Sequence, residues 1–119
     1  MSDRTQTDDL LFREVQQGFL ALKLVTEVRA DGLYVKFSPL GRSFHPVPWS
    51  NVEAVRVTEY APGDYGGWSW GVRVGPTGNK AYRLSGDQGV EIIRERGRRL
   101  FVGSDRPQEL ADAIATARR

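Results

Sequence analysis

Val47-Pro48-Trp49-Ser50-Asn51-Val52-Glu53-Ala54-Val55 opens the stretch that decides the fold, and Leu100-Phe101-Val102-Gly103 closes it. Between them apolar residues alternate with polar ones in short runs. Val55 and Val57 face one way along a run that ends near Tyr60. Trp68, Trp70, Val72 and Val74 alternate with Ser69, Gly71 and Arg73 in the next. Gly75-Pro76-Thr77-Gly78-Asn79 turns the chain into Lys80–Leu84, and Ser85-Gly86-Asp87-Gln88-Gly89 turns it into Val90-Glu91-Ile92-Ile93-Arg94. Arg96-Gly97 then closes a hairpin onto Arg99–Gly103. A period of two, punctuated by turn residues, predicts half-buried strands.

Beyond the last of these strands the period changes. Leu110, Ala113, Ile114 and Ala117 form one apolar stripe at helical spacing, with Arg118 and Arg119 at the negative end of the helix dipole. Asp105 is the expected N-cap, Gln108 its capping-box partner, and Pro107 falls in the first turn.

Upstream, Leu22, Leu24, Thr26 and Val28 alternate with Lys23, Val25, Glu27 and Arg29, predicting a strand. Asp31-Gly32 reads as a type I′ hairpin turn, and Leu33, Val35 and Phe37 share one face of the return strand. Arg42–Pro46 is a short strand that its proline keeps from the middle of a sheet. Leu10–Val15 reads as one or two turns of helix broken by Gly18, after a polar tail. The expected organisation is a tail and short segment over residues 1–18 and one domain over 19–119, mainly β with a single C-terminal α-helix.

The 119 residues suffice for one core. Hydrophobic residues make up 39% and charged residues 27%, an ordinary globular balance. Cysteine is absent, which removes disulfides and thiolate metal sites and points to a reducing, cytoplasmic setting. A net charge of +2 sets up no global field that demands nucleic acid, so any anionic partner must be met by local clustering. No run approaches the ~20 apolar residues of a membrane span, and Met1–Asp9 lacks the apolar core of a signal peptide, so the chain as given reads as soluble.

The order of strands closed by a terminal helix resembles the pleckstrin-homology-like (PH-like) fold, a bent antiparallel β-sandwich or barrel of about seven strands. Val47-Pro48-Trp49-Ser50-Asn51-Val52-Glu53-Ala54-Val55 is similar to a stretch of prokaryotic PH-like domains. Tyr65-Gly66-Gly67-Trp68, Ala81-Tyr82, Gly89-Val90 and Gly103-Ser104 with Pro107 and Leu110 resemble an uncharacterised, membrane-anchored subgroup. That subgroup usually places an apolar membrane hairpin after a segment similar to Phe12-Arg13-Glu14-Val15-Gln16. Here the first long strand follows almost at once. Either the chain is a naturally soluble relative or the hairpin is missing at a seam, Gln17-Gly18; the purposeless spacing of Phe12–Gln16 in a soluble domain favours the seam. The resemblance implies a home at the cytoplasmic face of the cell membrane for the parent family, and carries over no catalytic residues.

The side chains point the same way. His45 is the one histidine, without thiols or clustered carboxylates to share a metal and without an evident nucleophile partner. Gly63-Asp64-Tyr65-Gly66-Gly67 lacks the Lys-Ser/Thr of a phosphate loop and precedes a strand. No catalytic residue, metal ligand set or cofactor is expected. The aromatic loop, with Tyr60, Asp64, Tyr65 and Trp68, is the candidate partner-binding surface, because aromatics anchor interfaces. Arg94, Arg96, Arg98 and Arg99 form the densest basic cluster and the candidate contact with an anionic surface. The expected function is a non-enzymatic PH-like binding or assembly module, normally membrane-tethered, engaging a protein partner or itself. The alternative is peripheral binding of an anionic membrane surface through the Arg94–Arg99 hairpin. Nucleic acid is not expected, since the tryptophans are not interleaved with the arginines. On the seam account, removing Met1–Gln17 should cost little stability.

Overall fold

A computed structural model describes residues 10–18, 21–38, 43–61, 71–74, 78–84 and 86–119, with backbone alone for 71–74. Among the described residues nine strands precede one α-helix: β1 (Leu10–Gln17), β2 (Lys23–Arg29), β3 (Gly32–Ser38), β4 (His45–Pro48), β5 (Val52–Glu59), β6 (Gly71–Val74), β7 (Lys80–Arg83), β8 (Gln88–Arg94), β9 (Arg99–Gly103) and α1 (Pro107–Ala117). They form two sheets, β1-β2-β3-β4 and β5-β8-β9-β7-β6, as expected of a mainly β domain closed by a C-terminal helix. The first sheet is a simple meander. In the second, β7 lies parallel to β9, and every other pairing in both sheets is antiparallel.

The core lies between the sheets. Leu24 and Val28 of β2, Leu33, Val35 and Phe37 of β3, and Val47 of β4 face Val90 and Ile92 of β8 and Leu100 and Val102 of β9. Leu110 and Ile114 of α1 complete it, both fully buried. Each such side chain contributes ~1.5–3 kcal/mol when fully removed from water.

The register explains two local features. Arg29 pairs with Gly32, so the β2–β3 turn is Ala30-Asp31, and neither residue has positive φ. The expected type I′ turn at Asp31-Gly32 is therefore corrected. Gly32 serves close approach instead: a Cβ there would lie 2.6 Å from the Val47 carbonyl oxygen, so a side chain would push β4 off β3. β4 itself starts later than the sequence suggests, at His45, and occupies a sheet edge, where Pro46 and Pro48 cost no ladder bond.

The largest correction is at the N-terminus. Leu10–Val15 is not helical; it belongs to β1, which pairs with β2 along its whole length from Leu10↔Arg29 to Gln17↔Lys23. Phe12, Glu14 and Gln16 point inward, and the two polar residues conceal the apolar alternation that marks a strand. They are inward because they have partners there. Glu14 is 5% exposed, and its carboxylate accepts the Ser104 hydroxyl at 2.6 Å and the Asp105 amide N–H at 2.8 Å. The Gln16 side-chain amide donates to Asp105 Oδ1 at 3.0 Å.

These bonds also correct the helix start. α1 begins at Pro107 with Arg106 as its N-cap residue, and no side chain caps it. Asp105 is occupied by Gln16, while Ser104 Oγ accepts the Arg106 amide N–H at 2.9 Å. The corner between β9 and α1 is thus held from β1 rather than by a local capping box.

Hydrogen bonds to a charged group are worth ~1.5–3 kcal/mol each. Glu14→Ala should therefore lower the free energy of unfolding by about 3 kcal/mol or more in urea melts, and Glu14→Gln by less. Deleting residues 1–17 should cost at least as much, against the small loss the sequence suggests; a truncated chain as stable as the whole would show that β1 is dispensable.

Candidate interaction surfaces

Of the residues expected to meet a partner, Asp64, Tyr65 and Trp68 lie outside the described residues. Tyr60 does not reach the surface. It is 5% exposed, its ring packs 5.2 Å from that of Phe101, and the Arg83 guanidinium lies 4.7 Å from its centroid. Its amide N–H donates to the Asp87 carbonyl at 2.7 Å. Tyr60 is a packing residue on the outer side of the second sheet, with Ala81 and Phe101.

The arginine hairpin is present, but most of its charge is turned back on the chain. Arg94 donates to the Gly78 carbonyl at 3.3 Å, and Arg99 lies 3.9 Å from the buried Glu91 carboxylate. Arg98 pairs with Glu95 at 3.7 Å and lays its side chain along Gly78. Arg96 alone of the four is exposed, at the tip, with φ 65. That is the left-handed region, which an L side chain enters at a cost of ~1–2 kcal/mol. Gly97 follows at φ 72, so the tip needs two consecutive left-handed residues and only one is glycine.

His45 sits on the edge strand β4, its ring 6.3 Å from that of Tyr82. Partial burial, then the charges of Lys80 and Arg94, lower its pKa from the ordinary value, so the ring is neutral at pH 7. Among the described residues no three His, Asp or Glu side chains converge as a metal site would require.

A pocket of about 180 Å³ opens where the β7–β8 turn meets the β9–α1 corner, lined by Gly86, Asp87, Gln88, Ser104 and Asp105. Its Asp87, Ser104 and Asp105 side chains are tied to neighbours. Arg83 donates from Nε to the Gly86 carbonyl at 2.9 Å and from a terminal nitrogen to Asp87 Oδ1 at 3.1 Å. Asp105 and Ser104 belong to the contacts with β1.

The surface that sequence reading missed is the outer face of the first sheet. Tyr34 pairs with Glu27 across β2 and β3, and Lys36 with Val25. Glu27 accepts Arg13 Nε at 3.0 Å and an Arg29 terminal nitrogen at 2.7 Å. The Arg29 guanidinium stacks 3.9 Å from the Tyr34 centroid and 5.0 Å from that of Phe44, and Lys36 Nζ lies 4.7 Å from Phe44. The Tyr34 hydroxyl donates to Asp31 at 2.8 Å; partial burial and then that carboxylate raise its pKa. These residues are spread from Arg13 to Phe44 and interleaved with core residues, so no run of like side chains betrays them. Only the register brings them together.

Replacing Arg96 with glycine should raise stability by about 1 kcal/mol, since it relieves the left-handed backbone. A denaturant midpoint that falls instead would mean that the exposed Arg96 side chain holds the tip.

No curated protein and no solved structure matches this chain. Over residues 10–119 it matches a family of unknown function, DUF6141, a span that begins with β1 and ends with the C-terminal residue, and the chain belongs to that family.

Proposed function

We propose that the chain is a non-enzymatic, PH-like binding or assembly module, normally tethered at the inner face of a membrane, that engages a protein partner or a second copy. The four-stranded meander followed by a second sheet and a terminal helix supports the PH-like reading, from which the parallel β7–β9 pair departs. The non-catalytic part is supported by the pocket, whose Asp87, Ser104 and Asp105 side chains are committed to structural hydrogen bonds.

The observation that carries the tether is the β1–β2 connection. Gln17 and Lys23 are register partners, so the two chain ends there lie ~5 Å apart. A pair of membrane helices packs at ~8–10 Å, and could leave and re-enter the domain at this turn without disturbing either strand. The Gly18 amide N–H donates to the Leu22 carbonyl at 2.8 Å, and Ala21 has φ 61. A non-glycine residue in that region is uncommon, and a longer connection would not require it. The alternative, an anionic surface met through Arg94, Arg96, Arg98 and Arg99, is weakened by the bonds that hold three of them. The hairpin also lies at the opposite end of β8 and β9 from the Gln16 and Gly103 contact.

A Gly-Ser linker placed between Gln17 and Gly18 should leave the fold intact and cost under about 1 kcal/mol in urea, because each doubling of loop length adds only ~0.6 kcal/mol. Collapse of the fold on that insertion would rule out a tether at this turn. Light scattering over a concentration series, with an affinity pull-down, tests the binding role; a strict monomer that captures nothing overturns it.

A further inference from the structure

We propose that the outer face of the first sheet is a docking surface for an anionic lipid bilayer. Alternation places Lys23, Arg29 and Arg13 of β2 and β1, and Lys36 of β3, on the side away from the core. Against these four cations stand Glu27, buried between Arg13 and Arg29, and Asp31 at the rim. The face therefore carries an excess of +2, as large as the formal net charge of the entire chain.

The face is not only charged. Leu10, paired with Arg29, and Val15, paired with Val25, are each 37% exposed on β1, two aliphatic side chains standing among the cations. Cations around a few exposed aliphatics suit the headgroup boundary, where phosphates meet the charge and the apolar groups enter the acyl edge. A single-stranded nucleic acid would need open aromatic faces for stacking, and here Arg29 and Lys36 already lie against Tyr34 and Phe44. The lipid reading uses residues distinct from the arginine hairpin. It does not depend on the tether: a chain without any membrane anchor would carry the same face.

Co-sedimentation of the full chain with phosphatidylcholine vesicles, with and without phosphatidylglycerol, is the test. Binding should appear only on the anionic vesicles and weaken with salt. Each cation near the surface is worth ~1 kcal/mol, so Lys23→Ala and Lys36→Ala should each weaken binding about fivefold and together about 30-fold. Val15→Ser should weaken it further without altering the salt dependence. Arg96→Ala, with its thermal melt recorded beside those of the other variants, should bind as the wild type does. No binding to anionic vesicles at low salt overturns the proposal, as does loss confined to the Arg96 variant. Tighter binding of a single-stranded oligonucleotide, sensitive to the same lysines, would make this a nucleic-acid surface instead. Failure here leaves the linker insertion and the light scattering unaffected, so the two readings fall separately.

Discussion

The structure depends on one buried carboxylate. Glu14 carries its charge into a site where it is 5% exposed, and a carboxylate there is tolerable only because both oxygens accept strong hydrogen bonds. The donors, the Ser104 hydroxyl and the Asp105 amide, come from the far end of the chain. The bond therefore does two things. It secures β1 against the sheet, and it fixes the turn from which α1 departs, so that Leu110 and Ile114 meet the open side of the sandwich. Because Ser104 Oγ passes the interaction on to the Arg106 amide, the helix start is set by a residue more than 90 positions away rather than by its own cap.

That dependence shows why part of the fold is legible in the sequence and part is not. β2, β3, β8 and β9 announce themselves by alternation, because their inward residues are apolar and their turns are local. The α1 stripe is equally plain. β1 is hidden because its inward positions are Glu14 and Gln16, and no pattern reveals that a polar residue is inward when its partners are distant. Asp105 is misread for the same reason: its position and spacing suit an N-cap, but Gln16 claims the side chain. At the surfaces the local signal misleads in the other direction. The arginine hairpin is the densest run of positive charge, and three of its four side chains bond back to the fold.

The second sheet shows the cost of a buried acid more openly. Glu91 lies opposite Phe101 on the outer side of β8 and β9, with Arg56 at 2.6 Å and Arg99 at 3.9 Å. Both cations are at least a third exposed, so their pairing with Glu91 is screened on one side by water. Their first consequence is positional. Arg56 holds β5 in register with β8 at its middle, where Val57, 43% exposed, contributes little packing of its own.

The same economy governs the free sheet edges, which invite pairing with other chains unless blunted. β1 is an edge strand, and Arg106 reaches across to the Arg13 carbonyl at 3.2 Å while its guanidinium lies 4.9 Å from the Phe12 centroid. β5 is another, and Arg118 donates to the Val52 carbonyl at 3.1 Å and the Glu53 carbonyl at 3.4 Å. Arg83 and Arg94 likewise bond to carbonyls in the turns after β7 and before it. Among the described residues four arginines thus satisfy backbone oxygen where strands end or lack a neighbour, a role the forked guanidinium donors suit. Composition therefore overstates the basic surface available to a partner. The cations to weigh in any account of binding are those left over when the carbonyls are satisfied, and among the described residues the lysines of the first sheet, Lys23 and Lys36, are foremost among them.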